Sequence, residues 1–404
     1  MPKKSKHHLR LAVVLSHPVQ YYSPWFREIA RESRLDLKVF YLWDSGVAKT
    51  EDRTFQTSFS WDIPLLDDYE SEFVTNLSRD PGTHHFSGLD NPGLIDAISQ
   101  WGPDAILIFG YAWKTHLKVL FSPQLRRIPK LLRGDSHDLH PRTGLKATLI
   151  KQLKRGILKR FSHCLAVGHA NREYLLEHGV AERNITLVPH CVDNARFSTE
   201  VETSREAAAD WKAGMDLSSD RPVALFAGKF EPKKRPGDLL EAFLKLPHTN
   251  TSAAPALLMV GGGPLEAELR RQAGEALGKT VFFAPFQNQS QMPKVYAAGS
   301  FIVLPSFGNG ETWGLAINEA MNLCLPAIVS SHVGCARDLI IPNETGWIFE
   351  SSNVSELQSI LKEALSDLGK TRKMGHSAKA HIASFSYEEA TKTLLSALEG
   401  LKDN

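Results

Sequence analysis

The sequence predicts an α/β protein built from two doubly wound domains, each with a parallel β-sheet covered by helices on both faces. Three observations support this fold class. The chain of 404 residues is too long for one ordinary core. Short apolar runs alternate with helical segments along its whole length. These runs are continuous rather than alternating, which is typical of strands buried on both faces of a parallel sheet.

The predicted strands form two groups, separated by a polar segment. The first group is LAVVLS, LDLKVFYL, DAILIFG, KLLRGDS, HCLAVG and ITLVPH, and the second is PVALFAG, ALLMVGG, VFFAPF, SFIVLPS, PAIVSS and GWIF. Between them, STEVETSREAAADWKAGMDLSSDRP indicates a linker with one short helix. We therefore expect an N-terminal domain over residues 1–200 and a C-terminal domain over residues 201–385. Such domains would face each other across a cleft, with ligands at the carboxyl ends of the strands.

Composition excludes several classes of protein. The net charge of +2 gives no global reason to expect nucleic-acid binding, and no apolar segment is long enough for a membrane span. The first apolar run, LAVVLS, is too short for a secretory signal and is interpreted as a strand. The four cysteines lack metal-ligand spacing, so we expect reduced thiols in a cytoplasmic protein.

Two loops that follow strands of the second group differ in what they predict. KFEPKKRPG places Lys229, Lys233, Lys234 and Arg235 before a helix, where the helix N-terminus already favours anions. This pattern favours a phosphate site, and the alternative is a solvated basic loop. GGGPLEAELRR is only a weak dinucleotide signal, and a tight strand-to-helix turn is the favoured interpretation.

The stretch GNGETWGLAINEA, after SFIVLPS, combines a glycine-rich loop with two carboxylates. A helix that begins near Gly314 would offer its first N–H groups to an anion. Glu311 before the helix and Glu319 inside it could accept hydrogen bonds from hydroxyls. These features together predict a nucleotide-sugar site. The alternatives are a surface loop carboxylate for Glu311 and a solvated helix face for Glu319.

The same residues carry a family resemblance. GNGETWGLAINEAMNLCLPAIVS resembles the E-x7-E signature of family 4 glycosyltransferases, retaining enzymes with the two-Rossmann-domain GT-B fold, and Glu311 and Glu319 occupy its two Glu positions. GKFEPKKRP resembles the family's basic loop, with Lys229 at the Arg position and Lys234 at the Lys position. FSYEEATKTLLSAL resembles the family's last helix, so residues 386–404 are expected to pack back on the N-terminal domain.

The resemblance implies transfer of a sugar from a nucleotide-sugar donor, with UDP, GDP or another nucleotide, to a hydroxyl of an acceptor sugar, lipid-linked glycan or metabolite. Glu311 would bind the donor sugar, Lys229 and Lys234 the diphosphate, and Glu319 the ribose. The sequence has no Asp-x-Asp pair, so the lysines would replace a metal ion and no cofactor is expected. Further donor contacts would come from Gly228, Phe286, Gln287, Thr312, Trp313, Gly314 and Leu315.

The N-terminal half departs from the family pattern at two places. The loop after the first strand reads SHPVQYYSPWF instead of carrying a Gly-Gly pair. Where the family often has a His that contacts the donor sugar, LLRGDSHDLH places Asp135, with His137 two residues later. Either could touch the donor sugar or orient the acceptor hydroxyl, and the alternative is helix capping. Acceptor-side candidates, which could equally belong to the core, are His17, Gln20, Tyr21 and Tyr111.

A basic helix is predicted over residues 145–160. Its apolar residues have helical spacing, and the chain has no Asp or Glu from Leu139 to Arg172. The favoured interpretation is an amphipathic helix packed on the sheet with a solvated basic face. The alternative is a helix that rests on anionic lipid at the inner face of a membrane, or that grips an anionic acceptor.

Two other functions remain open at the level of sequence. An epimerase or hydrolase of nucleotide sugars could use the same fold without a second substrate. A non-catalytic sugar-nucleotide-binding scaffold is the other alternative, and loss of Glu311, Lys229 or Lys234 would favour it, whereas all three are present. A nicotinamide-dependent enzyme is disfavoured, because HPVQYY rather than a Gly-rich turn follows the first strand.

Overall fold

The computed structural model describes residues 8–47, 50–52, 57–198, 201–247 and 254–401. The predicted fold class is confirmed, because the described residues form two parallel sheets, each flanked by helices. Every apolar run predicted as a strand is a strand. Buried apolar side chains cover both faces of each sheet, as the continuous runs require.

The N-terminal sheet has seven parallel strands in the order β5-β2-β1-β6-β7-β8-β9. Its first strand therefore lies inside the sheet, and the order reverses beside it, which creates the topological switch point where such sheets bind ligands. The strands are β1 Leu9–Leu15, β2 Leu35–Tyr41, β5 Glu70–Phe73, β6 Ala105–Phe109, β7 Lys130–Gly134, β8 His163–Ala166 and β9 Ile185–Leu187. A separate antiparallel pair is formed by β3 Thr50–Asp52 and β4 Thr57–Phe59.

The C-terminal sheet has six parallel strands in the order β12-β11-β10-β13-β14-β15. Here too the order reverses at the first strand, between β10 and β13. The loops after these two strands are the basic loop and the glycine-rich loop singled out from the sequence. The strands are β10 Val223–Ala227, β11 Ala256–Val260, β12 Val281–Ala284, β13 Phe301–Leu304, β14 Ala327–Ser330 and β15 Gly346–Phe349.

Fifteen α-helices lie in the described part of the chain. None of them has the length and apolar character that crossing a bilayer demands. They are α1 Ser23–Ala30, α2 Leu94–Trp101, α3 Lys114–Phe121, α4 Leu145–Leu158, α5 His169–Glu177, α6 Asn194–Ser198, α7 Val201–Ala213, α8 Pro236–Leu244, α9 Glu266–Ala273, α10 Met292–Ala297, α11 Leu315–Asn322, α12 Ala336–Leu339, α13 Val354–Ser366, α14 Leu368–Ile382 and α15 Tyr387–Gly400.

The final helix, α15, packs against α1 of the N-terminal domain. Trp25 Nε1 donates a hydrogen bond of 3.1 Å to Thr391 Oγ1, and both side chains are buried. The hydroxyl of Tyr387 donates to the carbonyl oxygen of Tyr21 at 2.9 Å, next to the cleft between the domains. The chain therefore passes to the C-terminal domain before α6, whose Phe197 belongs to that domain's core, and returns before α15.

The favoured interpretation of α4 as a helix with its leucine stripe packed on the sheet is wrong. Leu145, Leu149 and Leu153 point to solvent, while Leu158 near the end of the helix is buried. The helix instead turns Ala147, Lys154 and Ile157 partly inward. Apolar spacing thus identified the helix correctly but not the face that packs on the domain.

Candidate functional site

The carboxyl ends of both sheets face one cavity of about 510 Å³, which we call the interdomain cleft. Side chains from loops after β1 and β7 line it from the N-terminal domain, and loops after β10, β11, β12 and β13 line it from the C-terminal domain. Most residues singled out from the sequence are brought together here. They are Gln20, Tyr21, Asp135, Gly228, Lys229, Lys234, Phe286, Gln287, Glu311, Thr312, Trp313, Gly314, Leu315 and Glu319.

The basic loop reaches the cleft because glycine permits close packing of two neighbouring loops. A Cβ atom on Gly261 would lie 2.0 Å from the carbonyl oxygen of Gly228, and Gly261 has φ +145°. Only glycine avoids this contact, so the GGG run serves a tight turn as the sequence favoured. The turn supports the loop in which Lys229 and Lys234 line the cleft.

Glu311 lines the cleft beside Lys234, one of the predicted phosphate cations. Its Oε2 atom accepts a hydrogen bond of 3.0 Å from Ser306 Oγ and forms a salt bridge with Lys234. Both ion-pair partners are largely shielded from solvent. The pair therefore places a hydroxyl-binding carboxylate next to an anion-binding cation, which is the combination that a sugar phosphate requires.

The helix that carries Glu319 begins where the sequence predicts. Gly314 is the residue before the first turn of α11 and has φ +109°, a conformation that favours glycine. The first N–H groups of a helix have no acceptor within the helix, and the helix dipole makes this end electropositive. Leu315 and Ala316, in this first turn, line the cleft.

Glu319 is a buried carboxylate with one unsatisfied oxygen. Only 1% of the residue is exposed. Its Oε2 accepts a hydrogen bond from the hydroxyl of Tyr296 at 2.5 Å. Within the described residues, the Oε1 atom accepts no well-formed hydrogen bond, although Tyr21 and Gln289 lie close to the carboxylate. A buried oxygen without a donor is costly, so this atom indicates a place where a ligand hydroxyl would be stabilising.

The surroundings of Glu319 disfavour its charge overall. Burial raises the pKa of the carboxyl group above its ordinary value, while Tyr296 and Arg196 act in the opposite direction. Arg196 Nη2 lies 4.0 Å from Glu319 Oε1 and donates a bond of 2.6 Å to Gln289 Oε1. Tyr21, from the N-terminal domain, also lies against this carboxylate. Residues of both domains therefore converge on Glu319.

Asp135 and His137 both contact the glycine-rich loop, but only Asp135 lines the cleft. Asp135 Oδ2 accepts a 2.6 Å hydrogen bond from Thr312 Oγ1 across the cleft. His137 is buried, and its Nε2 atom is 3.0 Å from the backbone carbonyl of Glu311. His137 does not line the cleft, so it contacts the backbone of the loop rather than the cavity.

Two acceptor-side candidates lie outside the cleft lining. His17 is held by Ser16 Oγ at 2.9 Å and packs edge-on against Trp43, and burial lowers the pKa of its imidazole to about 4. The hydroxyl of Tyr111 lies 2.8 Å from that of Tyr174 in a separate small cavity. Of the four candidates, Gln20 and Tyr21 alone reach the cleft.

Several cleft residues were not identified from the sequence. His190 follows β9, so the rule that ligands bind after strands could have found it. Its ring stacks on Tyr22, and burial holds its pKa well below the ordinary value. Trp61, Gln289 and Tyr296 also line the cleft, but they lie in segments without a glycine, charge or spacing signal.

A cluster with metal-ligand geometry occurs elsewhere. Among the residues that the structure describes, Asp80, His84 and His85 bring one ligand atom each within 4.8 Å of the others. The cluster is on a partly exposed loop, and none of its members lines the interdomain cleft.

Comparison with known proteins gives the C-terminal domain a family match. Residues 208–381 match the family model of glycosyl transferases group 1. The D-inositol 3-phosphate glycosyltransferase of Nocardia farcinica is 27% identical over 231 residues, which cover 55% of this chain and 49% of that protein. The corresponding Streptomyces avermitilis protein is 28% identical over 225 residues, 54% of this chain and 47% of that protein. The aligned segments thus span about half the length of these curated relatives.

Solved structures match nearly the whole chain. A glycosyltransferase from Rickettsia africae aligns with a TM-score of 0.74 and 16% identity, covering 98% of this chain and 99% of that one. Anabaena HepE in complex with UDP aligns with a TM-score of 0.72 and 16% identity, covering 97% and 100%. At this identity the likeness concerns the fold. The family match therefore concerns the C-terminal domain, and the structural likeness extends the two-domain fold to nearly the whole chain.

Proposed function

We propose that this chain is a family 4 glycosyltransferase that moves a sugar from a nucleoside diphosphate donor to an acceptor hydroxyl, with retention and without a metal ion. The observation that carries the proposal is the buried, unsatisfied oxygen of Glu319 in a cleft that also gathers Lys229, Lys234 and Glu311. This set offers cations for phosphates and carboxylates for hydroxyls in one cavity, with Glu311 directly beside Lys234.

The cations and the start of α11 would act on the leaving group. Breaking the bond between sugar and phosphate builds negative charge on the diphosphate. Lys229, Lys234 and the first N–H groups of α11 could stabilise that charge before it develops, without reorganisation. Retention and the absence of a metal come from the resemblance to family 4 and from the lysines in the place of a metal.

The carboxylates would bind the two sugars of the donor. Glu311 would exchange part of its contact with Lys234 for hydroxyls of the transferred sugar. Glu319 Oε1 would accept from a ribose hydroxyl, because that buried oxygen accepts no hydrogen bond from the described residues. Phe286 and Gln287, after β12, would lie beside the base.

The N-terminal side of the cleft would hold the acceptor. Asp135 and Gln20 present polar groups there. Asp135 also accepts a hydrogen bond from Thr312, which lies just before α11. The curated relatives carry D-inositol 3-phosphate in their names, so a phosphorylated polyol is one acceptor class to test.

Thermal-shift titration with UDP, GDP, ADP and dTDP tests the donor site. UDP is the first choice, because HepE was solved with UDP and with UDP-glucose. A nucleotide at a hundred times its Kd should stabilise by about 2.7 kcal/mol. We expect one nucleotide to do so in the presence of a chelator, with Mg²⁺ adding little.

Two variants and one product assay make the result specific. Lys234→Ala should lose the stabilisation by nucleotide, whereas Lys245→Ala, a surface lysine paired with Glu241, should keep it. Stabilisation only with Mg²⁺ would overturn the metal-free proposal, and none with any nucleotide would overturn the donor site. Release of UDP from the sugar nucleotide without an acceptor, or a new nucleotide sugar, would favour the hydrolase or epimerase instead.

A further inference from the structure

Helix α4 exposes a ridge of leucines. Leu145, Leu149 and Leu153 are 87, 71 and 66% exposed and follow one another at intervals of four residues. Residues at this spacing lie on one face of a helix, so the three form a continuous apolar ridge along α4, which is about 21 Å long. Soluble surfaces seldom expose such ridges unless they bind something.

Basic side chains border the leucine ridge on both flanks. By helical position Lys146 and Arg155 lie on the two flanks of the ridge, whereas Lys151 lies towards the opposite face of the helix. The helix carries four basic residues, and the chain has no acid from Leu139 to Arg172. Lys151 is 3.5 Å from Glu177, whereas no ion pair of Lys146 occurs among the described residues. The charge of this face is therefore largely uncompensated.

A second exposed apolar side chain lies near the carboxyl end of α4. Phe121, at the end of α3, is 49% exposed, and the guanidinium of Arg160 lies 5.4 Å from its ring centre. Arg160 lies two residues after the end of α4, so here too a cation lies beside an exposed apolar side chain. We call Leu145, Leu149, Leu153, Phe121 and the basic residues beside them the α4 surface.

We propose that the α4 surface docks on an anionic lipid bilayer, with α4 lying in the interface and the protein not spanning it. An apolar ridge with cations beside it is complementary to an anionic bilayer. The leucines would contact acyl chains, and the cations would contact the anionic headgroups. A second copy of this chain is a poorer occupant, because a symmetric contact would bring the same positive charges against each other. Charge complementarity thus selects the lipid surface.

The position of α4 relates the docking surface to the cleft. Asp135 lines the interdomain cleft, and the segment after it leads directly to the start of α4 at Leu145. Along that segment His140 N donates a 2.9 Å hydrogen bond to Asn309 Oδ1 of the C-terminal domain. The most exposed leucine therefore lies at the end of α4 that is nearest the cleft in sequence.

Vesicle co-sedimentation of the full-length protein tests this proposal. We expect binding to vesicles of phosphatidylcholine with phosphatidylglycerol, little binding to phosphatidylcholine alone, and release at high salt. The double variant Leu149→Ser/Leu153→Ser should bind at least about tenfold more weakly, because each serine removes an apolar side chain from the acyl layer. Leu277→Ser, a partly exposed leucine of the C-terminal domain, is the matched control and should bind like the wild type.

Charge removal gives a second, independent result. Lys146→Gln should weaken binding to the anionic vesicles by about fivefold. Because the replaced side chains are at least partly exposed, all these variants should melt at the temperature of the wild type. Their stabilisation by nucleotide should also be unchanged. A failure of vesicle docking can therefore be distinguished from a failure of donor binding.

Three results would overturn the docking proposal. They are no binding to anionic vesicles, equal losses in the Leu149→Ser/Leu153→Ser and Leu277→Ser proteins, and equal binding to neutral vesicles. A wild-type dimer that becomes monomeric in the double variant, with no vesicle binding, would identify a second copy as the occupant.

Discussion

At the scale of one residue, Glu319 indicates a ligand site because its burial lowers the stability of the protein without a ligand. The side chain is buried, yet one carboxylate oxygen accepts no hydrogen bond in the described part of the chain. Leaving a buried acceptor without a partner costs about 1–3 kcal/mol. The arrangement lowers the stability of the free protein, and a ligand that donates a hydrogen bond to this oxygen would remove that loss.

Replacing Glu319 by Gln should therefore separate stability from binding. A raised pKa in the folded state means that the carboxyl stabilises the fold below its unfolded pKa and loses this contribution as pH rises through the folded pKa. At neutral pH Glu319→Gln should thus unfold at the same temperature as the wild type or a few degrees higher, about 2–4 °C per kcal/mol. Stabilisation by nucleotide should be much weaker than in the wild type. The exposed Glu344→Gln serves as a control, and a clear fall in the melting temperature of Glu319→Gln alone would contradict this account.

The raised pKa of Glu319 also predicts that donor binding depends on pH. Only the ionised carboxylate of Glu319 offers acceptors at both oxygens, so affinity should fall as pH decreases through its raised pKa. Calorimetric titration with UDP-glucose measures this pH dependence. UDP itself is less suitable, because its terminal phosphate group titrates at about pH 6, whereas UDP-glucose has no such group. In Glu319→Gln the affinity should be weak and flat with pH. An equal slope in the variant would assign the dependence to another group.

The sequence predicted the charged residues of the site better than the residues that position them. Glu311, Glu319 and Lys234 stood out because carboxylates and cations flank the starts of predicted helices. Tyr296 and Arg196 carried no such signal, since a tyrosine in a helix and an arginine in a connecting segment are ordinary. Their contact with Glu319 depends on three-dimensional packing of α6, α10 and α11, which no local pattern encodes.

At the scale of elements, apolar periodicity located the buried strands and failed at the surface. Continuous runs identify strands covered on both faces, and all of those were found. The edge strand β5, Glu70–Phe73, was missed because its sequence ESEF is polar and its pairing with β2 comes from the backbone. For α4 the spacing defined a face without saying whether protein, lipid or water covers it.

The turn at Gly261 offers an element-scale prediction. Gly261→Ala would force a Cβ to within 2.0 Å of the carbonyl of Gly228 and strain a positive φ. We expect a loss of at least about 2 kcal/mol in the free energy of unfolding, with weaker nucleotide binding because the basic loop moves. Gly278 also has a positive φ, but a Cβ there would meet open space. Denaturant titration of Gly278→Ala should therefore show a loss of only about 1 kcal/mol in the free energy of unfolding. Equal losses would reject the close-packing argument.

At the scale of the whole molecule, the two domains form one site because several polar contacts join them. Asp135 accepts a hydrogen bond from Thr312, and the carbonyl of His190 accepts one from Asn318 Nδ2 at 2.9 Å. The return of α15 to the N-terminal domain, which the family resemblance led us to expect, adds an apolar contact to these. A prediction from sequence could place the two domains but not these pairs.

Removal of α15 should destabilise the N-terminal domain. Ending the chain at Ser386 would remove Leu394 and Leu398 from its core and leave Trp25 without Thr391. Loss of this buried apolar surface should cost at least about 5 kcal/mol, comparable with the stability of a domain. Calorimetry should then show early unfolding of one domain. A chain that ends at Leu401 is the control, and identical melting of the two proteins would contradict the assigned packing.

The measurement that tests the central claim most directly is a binding cycle between the ribose and Glu319. UDP and 2′,3′-dideoxy-UDP would be titrated calorimetrically into the wild type and into Glu319→Gln, in the presence of a chelator. If Glu319 Oε1 binds the ribose, the wild type should lose about 1–3 kcal/mol with the dideoxy nucleotide, and the variant should discriminate little between the two ligands. An undiminished preference of the variant for UDP would contradict this account, as would a wild type that binds both nucleotides equally.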